Sequence, residues 1–129
     1  MATQAIKVTL RVRISQSDLH YGGGLASGSK VMELFGDAAT EVLIRHDGDE
    51  GLFRAYQEVE FLAPIKPGDF IEVTARLTRV GKTSREMNFE AYKIIDGARD
   101  PNNPSSAQLL PQPLLVAQAK GTCVVKKGA

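Results

Sequence analysis

The hydrophobic period changes along this chain, and that change constrains the fold more than any other feature. Between residues 29 and 46, apolar side chains such as Val31, Phe35 and Val42 recur with helical spacing and share one face. Before and after this segment, apolar and polar residues alternate, which is typical of half-buried strands. A single amphipathic helix among strands must bury its apolar face against a sheet.

Five strands are predicted from the alternation, one before the helix and four after it. The first is the clearest, because alternation is unbroken from Ile6 to Ile14. The other four cover residues 52–62, 70–80, 85–95 and 114–125. Hairpin-linked strands form antiparallel sheets. We therefore expect one α+β domain over residues 1–129, with a five-stranded antiparallel sheet on one helix and an exposed edge that favours a dimer.

Two loops have distinctive compositions. A glycine-rich segment over residues 20–28 precedes the helix, and its three consecutive glycines allow close approach of the backbone to another group. Residues 96–113 are rich in proline, asparagine and serine, which predicts a long loop.

Composition excludes several classes of protein. The 129 residues suffice for one core, and the net charge of +1 does not indicate nucleic acid or an acidic membrane surface as a partner. A single cysteine, Cys123, precludes an intrachain disulfide and suits a reducing compartment. No signal peptide pattern and no apolar segment of about 20 residues is present. We expect a cytoplasmic protein that does not associate with membranes.

Neither a phosphate-binding loop nor a metal site is predicted. Residues 81–84 read Gly-Lys-Thr-Ser, but Arg76 occupies the position of the first glycine that the loop requires, and a strand follows where a helix is needed. The potential metal ligands are far apart in sequence and lack ligand spacing: His20, His46 and Cys123.

Two groups of carboxylates are candidates for proton transfer. Glu33, Asp37 and Glu41 share one helix face, although such a row usually faces water, and Glu41 can pair with Arg45. A second group, Glu58 and Glu60, projects from one face of a predicted strand, and burial there would suit the pair to acid–base work. The pattern alone does not decide whether these carboxylates are solvated surface groups or proton-transfer groups.

The segment from His20 to Asp37 resembles the hot-dog-fold acyl-CoA thioesterases. Its glycines lead into a long helix that carries Asp37 in a Phe-Gly-Asp-Ala-Ala context. Residues 61–64 (Phe-Leu-Ala-Pro) and 67–69 (Pro-Gly-Asp) are similar to a strand-turn-strand segment of that superfamily. The resemblance implies a sheet wrapped around the helix and two subunits that together build two active sites, in a homodimer or a larger assembly of dimers.

A closer resemblance extends from Ile6 to Val125 and points to the 3-aminoacyl-CoA ammonia lyases, which include the 3-aminobutyryl-CoA ammonia lyase of lysine fermentation. It rests on five short motifs at residues 20–23 (His-Tyr-Gly-Gly), 35–37 (Phe-Gly-Asp), 40–41 (Thr-Glu), 47–49 (Asp-Gly-Asp) and 59–61 (Val-Glu-Phe). One departure is Gly24, where these lyases are expected to have asparagine.

This resemblance implies reversible elimination of ammonia from a 3-aminoacyl-CoA, with coenzyme A as part of the substrate and no other cofactor. It implies Asp37 and Glu60 as acid–base groups from opposite subunits, with Glu41 near the amine. Which carboxylate is the base stays open, as does the acyl chain length. The predicted substrate-binding residues are His20, Tyr21, Gly23, Gly24, Gly28, Glu58, Lys82 and Ser84.

The pantetheine is expected near residues 81–84. The candidates for the CoA phosphates are Lys82, Arg85, Lys126 and Lys127. Two other functions fit the same residues: an acyl-CoA thioesterase in which Asp37 activates water, and a non-catalytic module that binds acyl-CoA.

Overall fold

One long helix lies across an antiparallel sheet in the computed structural model, which describes residues 6–97 and 100–126. The helix α1 spans Gly28–Asp47. The strands in chain order are β1 (Lys7–Arg13), β2 (Leu19–Tyr21), β3 (Leu25–Ala26), β4 (Leu52–Phe61), β5 (Phe70–Val80), β6 (Ser84–Asp96) and β7 (Gln108–Val124). The five long strands form one sheet in the order β1-β5-β6-β7-β4, with every neighbouring pair antiparallel. The predicted sheet and helix are confirmed.

Both ends of α1 are closed by local hydrogen bonds. At the start, the Ser27 side chain accepts from the N–H of Ser29 at 3.0 Å, as an N-cap serine does. At the end, Gly48 adopts φ 68° and donates its N–H to the carbonyl of Ile44 at 2.9 Å. Glycine is favoured there because the left-handed conformation is strained for residues with a Cβ. The helix therefore begins and ends at defined residues.

The apolar face of α1 is almost completely buried against the sheet. Its buried residues are Val31, Leu34, Phe35, Ala38, Ala39, Val42 and Leu43. At the centre, the ring of Phe35 packs on that of Phe89 from β6, with centroids 5.2 Å apart. Burial of each large apolar side chain contributes about 1.5–3 kcal/mol. This contact sets the position of the helix over the sheet.

Two β-bulges interrupt β4, and they change which residues face the core. The pairing with β7 shifts between Phe53 and Ala55 and again between Tyr56 and Glu58, so β4 has an extra residue at each point. Unbroken alternation predicts Tyr56 on the same side as Glu58. That prediction is wrong, because Tyr56 stacks on Phe53 at 4.2 Å and packs against the core.

The loop predicted for residues 96–113 is shorter in the structure. β6 continues to Asp96 and β7 begins at Gln108, so residues 108–113 belong to a strand in spite of two prolines. Their pairing with β6 is irregular: Ile95 lies opposite Leu109, but Lys93 lies opposite Leu114. Prolines are tolerated at such interruptions because no ladder hydrogen bond is required of them.

A buried ion pair joins the end of α1 to the start of β6. Arg85 donates to both carboxylate oxygens of Asp47, at 2.9 and 2.7 Å, and both side chains are largely buried. These hydrogen bonds lower the pKa of Asp47 from its ordinary value of 3.8. The folded state therefore favours the ionised form of Asp47. The ion pair stabilises the fold fully at pH values above 3.8, and this stabilisation is lost as the pH falls through the lowered pKa of Asp47.

Replacement of Asp47 by asparagine should lower the free energy of unfolding at pH 7 by about 3 kcal/mol, because a buried arginine loses its partner. The difference in unfolding free energy between this variant and the unmodified protein should become smaller as the pH falls below 3.8. Urea unfolding at fixed protein concentration measures both effects. The control is Arg11→Gln, which removes an exposed pair with Glu72 and should cost less than about 1 kcal/mol. Equal losses of unfolding free energy in the two variants would show that the buried Asp47–Arg85 pair stabilises the fold no more than an exposed pair does.

No helix in the described part of the chain is long and apolar enough to cross a membrane.

Candidate functional site

A mainly apolar cavity of about 330 Å³ opens at the N-terminus of α1. Its walls come from β3, the first turn of α1, the end of β4 with the segment after it, and β7. The apolar lining includes Leu25, Val31, Phe61, Ile65 and Val116. Cavities of this size and character are typical of small-ligand sites.

The glycine-rich segment brings the chain back to this cavity. Gly23 and Gly24 have φ of 79° and 76°, a conformation that other residues adopt only with strain, and they turn β2 into β3. The N–H of Ala26 then donates to the carbonyl of Ile65 at 2.8 Å. The two predicted glycines therefore act through the path of the backbone.

The N–H of Gly28 is a free donor in the cavity lining. The N–H groups of Ser29 and Lys30 are both satisfied by Ser27, through its hydroxyl and its carbonyl. Within the described residues, no hydrogen bond uses the N–H of Gly28. The first N–H groups of a helix carry partial positive charge from the aligned peptide dipoles. This position suits a carbonyl oxygen that gains negative charge during a reaction.

A buried carboxylate holds the turn on one side of the cavity. Asp69 has no exposed surface, and it accepts from the N–H groups of Lys66 and Gly97 at 2.9 and 2.8 Å. The ammonium group of Lys93, also buried, lies 2.9 Å from Oδ2, the oxygen that also accepts from the N–H of Lys66. Since the turn carries Ile65, whose carbonyl binds β3, this network positions the entry into α1. The sequence motif at residues 67–69 was visible, but its buried lysine partner was not.

The predicted catalytic carboxylates on α1 are on the surface of the protomer. Asp37 is exposed, and Glu41 accepts from Arg45 at 2.8 Å, as the solvated interpretation predicts. Neither side chain lines the cavity at Gly28.

Glu60 lies on the other side of the sheet from α1. Its neighbours Val59 and Phe61 face the helix side, and residues along a strand alternate between faces. Its carboxylate accepts from the amide of Gln118 at 2.6 Å. The structure does not bring Glu60 and Asp37 together within one protomer.

Glu58 lines a separate, polar cavity of about 390 Å³ on the outer face of the sheet. The charged residues Arg76, Glu90 and Lys120 line the same cavity. The predicted role of Glu58 in substrate binding therefore concerns a different surface from the cavity at Gly28.

Lys82 and Ser84 lie near the opposite end of α1. The turn that carries them is bound to Val125 through the carbonyl of Thr83, and Arg85 beside them holds Asp47. A helix of 20 residues is about 30 Å long, so this turn is far from Gly28 of the same protomer.

Of the basic residues predicted to meet the CoA phosphates, Arg85 is not available, because its guanidinium is committed to Asp47 and to the carbonyl of Gly81. Lys126 is exposed, whereas Lys127 lies outside the described residues.

His20 and Tyr21 pack edge to face, with ring centroids 4.7 Å apart. Tyr21 lines the apolar cavity, and His20 lines an adjacent groove with Lys30 and Glu33. The buried thiol of Cys123 is unsuited to nucleophilic attack, because burial raises its pKa to about 11.

Sequence comparison decides the family. Residues 23–97 match the profile of the thioesterase superfamily. The chain is also 52% identical to the 3-aminobutyryl-CoA ammonia lyase of Acetoanaerobium sticklandii. The alignment spans 122 residues and covers 95% of this chain and 96% of that protein. The chain belongs to the thioesterase superfamily. Both resemblances found in the sequence are thereby confirmed, and the hot-dog fold with them.

Solved structures of this superfamily agree with the fold. The β-alanyl-CoA:ammonia lyase from Clostridium propionicum superposes with a TM-score of 0.90 at 34% identity, over 97% of this chain and 88% of that one. A hexameric thioesterase from Yersinia pestis superposes with a TM-score of 0.73, over 99% of this chain and 91% of that one. At 16% identity, this second likeness concerns the fold alone.

Replacement of Asp69 by asparagine should destabilise the protein by roughly 3–5 kcal/mol, since it removes the buried carboxylate that lies 2.9 Å from the ammonium of Lys93 and 3.5 Å from that of Lys66. The double variant Asp69→Asn/Lys93→Met removes both charges and should recover part of the loss. Chemical denaturation of the single and double variants measures the coupling between the two residues. Additive losses would show that the ion pair does not act as a unit.

Proposed function

We propose that the chain is an ammonia lyase that reversibly eliminates ammonia from a 3-aminoacyl-CoA, such as 3-aminobutyryl-CoA, and forms an enoyl-CoA, such as crotonyl-CoA. The observation that carries the proposal is the free N–H of Gly28 in an apolar cavity at the helix N-terminus. When a thioester carbonyl accepts a hydrogen bond from this N–H, the proton on the neighbouring carbon, C2, becomes more acidic. The reason is that the helix end stabilises the enolate that forms when this proton is removed.

The elimination breaks a C–H bond at C2 and the C–N bond at C3 of the protonated amine. A base removes the proton from C2, and the electron pair of that C–H bond forms the C2–C3 double bond. The C3–N bond breaks with its electron pair going to nitrogen, so the NH3+ group leaves as neutral ammonia. Coenzyme A enters as part of the substrate, and we expect no further cofactor. We also expect the enzyme to act in the cytoplasm.

The alternative of a thioesterase receives less support. The relatives named as ammonia lyases are 52% and 34% identical to this chain, whereas an acyl-CoA hydrolase from Staphylococcus aureus and the Yersinia pestis thioesterase are 21% and 16% identical.

We further propose that the site is completed by a second subunit. Within the described chain, β4 pairs only with β7, so its other edge is open, and antiparallel pairing with β4 of a partner would extend the sheet. That pairing places the Leu52 end of one strand beside the Phe61 end of the other. Leu52 lies opposite Val124, which in turn pairs with Ser84. The turn with Lys82 would therefore approach the cavity of the neighbouring subunit.

The same symmetry favours Asp37 as the base. Asp37 is exposed near the middle of α1, so its carboxylate is accessible to a partner subunit. Glu60, on the outer face of the sheet, is less favourably placed for direct proton transfer. Glu41 would contribute negative charge near the departing amine.

Crotonyl-CoA should be consumed only in the presence of ammonium ions. The expected result is loss of the enoyl absorbance with formation of 3-aminobutyryl-CoA, because elimination is reversible. Mass spectrometry of the product and a thiol reagent provide the readouts. Release of free CoA without a requirement for ammonium would establish the thioesterase instead.

Asp37→Asn should reduce kcat/KM by about 10²–10⁴-fold, as loss of a positioned proton-transfer group does. The matched variant Glu60→Gln should reduce it by less than about tenfold, because Glu60 faces away from the cavity. Circular dichroism checks that both variants fold. A larger loss in Glu60→Gln than in Asp37→Asn would reverse the assignment of the base.

Mixed dimers test whether the site is shared. Gly28→Val should be inactive, because its side chain meets the ring of Phe61. Co-expression of this variant with Asp37→Asn should restore about one quarter of the activity, since half of the dimers are mixed and each has one intact site. No recovery in verified mixed dimers would place Asp37 and Gly28 of the same protomer in one site.

A further inference from the structure

The ring of Phe61 rests on the first residue of α1. A Cβ added to Gly28 would lie 3.0 Å from both Cε1 and Cζ of the ring, which is closer than ordinary carbon contacts. Glycine at this position therefore allows the ring to lie against the helix backbone. The ring forms part of the cavity wall beside the free N–H of Gly28.

Phe61 is one of three exposed large apolar residues in this wall, together with Tyr21 and Leu62, which are 56% and 50% exposed. It is distinguished from these two by its contact with Gly28. Val31 and Ile65 are 3% and 5% exposed and are packed into the core, so their positions are set by many neighbours. Phe61 is 56% exposed and is the last residue of β4. A side chain at a strand end with more than half of its surface free can be changed in size without disruption of the core.

We infer that Phe61 sets the length of the acyl chain that the enzyme accepts. The inference rests on the proposed function, in which the thioester carbonyl accepts from the N–H of Gly28. When the carbonyl is about 2.9 Å from that N–H, the first carbons of the acyl chain are within reach of the Phe61 ring, which contacts Gly28. Short chains contact the ring face, and longer chains collide with it.

The size of the expected effect follows from the behaviour of apolar pockets. One methylene more or less typically changes discrimination by about 10- to 200-fold. Removal of the ring should therefore change the preference between chains that differ by two or more carbons, while the hydrogen bond to the carbonyl is retained. A role in stability alone would weaken binding of all chain lengths equally.

The test is the binding of acetyl-, butyryl-, hexanoyl- and octanoyl-CoA to the full-length protein by isothermal titration calorimetry. In Phe61→Ala, the ratio of the Kd for octanoyl-CoA to that for butyryl-CoA should fall by at least about tenfold. In Phe61→Trp, the same ratio should rise, because a larger ring shortens the cavity. Leu109→Ala, a change at a 73% exposed leucine outside this cavity, should leave the ratio unchanged.

A double-mutant cycle tests the contact itself. Gly28→Ala should weaken butyryl-CoA binding in the unmodified protein, because its Cβ displaces the ring. The same change should have a smaller effect in the Phe61→Leu background, where that ring is absent. Equal effects in the two backgrounds would show that the residues do not act together.

An unchanged chain-length ratio in folded Phe61→Ala and Phe61→Trp would overturn the inference. Calorimetry does not depend on turnover, so this result is distinct from a failure of the proposed function. That failure would appear as the absence of ammonium-dependent consumption of crotonyl-CoA by the unmodified protein. If free CoA were released instead, the binding series in the Asp37→Asn background would still decide the role of Phe61.

Discussion

Burial of one face of α1 against the sheet is the interaction on which the rest of the structure depends. Val31, Phe35 and Val42 place the helix at a fixed height and direction over the strands. The N-terminal amides are thereby held beside the end of β4 and the middle of β7. A polar group at a helix end becomes a useful electrostatic element only when the surrounding structure prevents it from moving. The apolar packing thus supplies the rigidity of the site as well as the stability of the fold.

Two buried ion pairs stabilise the connections at the two ends of the helix. Arg85 with Asp47 joins the C-terminal end to β6, and Lys93 with Asp69 holds the turn that contacts β3 before the N-terminal end. Each pair links residues far apart in sequence, and each carboxylate accepts more than one hydrogen bond. Buried charges are costly unless they are satisfied in this way.

The cavity at Gly28 contains a donor but, in the protomer, no carboxylate. Its apolar lining strengthens the interaction of the helix end with a developing negative charge, because few competing dipoles are present. In the proposed reaction, the proton-transfer group is supplied by the partner subunit. The open edge of β4 and the exposed position of Asp37 are consistent with its supply by a second subunit. In this proposal, the group that stabilises the developing charge and the group that moves the proton come from different subunits.

The sequence by itself determined the single helix, the five strands and the glycine segment before Gly28, because hydrophobic period and turn residues are local signals. It also indicated that Glu41 pairs with Arg45, four residues apart on one helix. Only the tertiary structure decided that Tyr56 faces the core and that Glu60 faces away from α1. The bulges in β4 and the position of the helix depend on pairing with distant residues, which no local pattern records. The contact of Phe61 with Gly28 and the pairing of Asp69 with Lys93 have the same origin, since each joins elements that only the packed fold brings together.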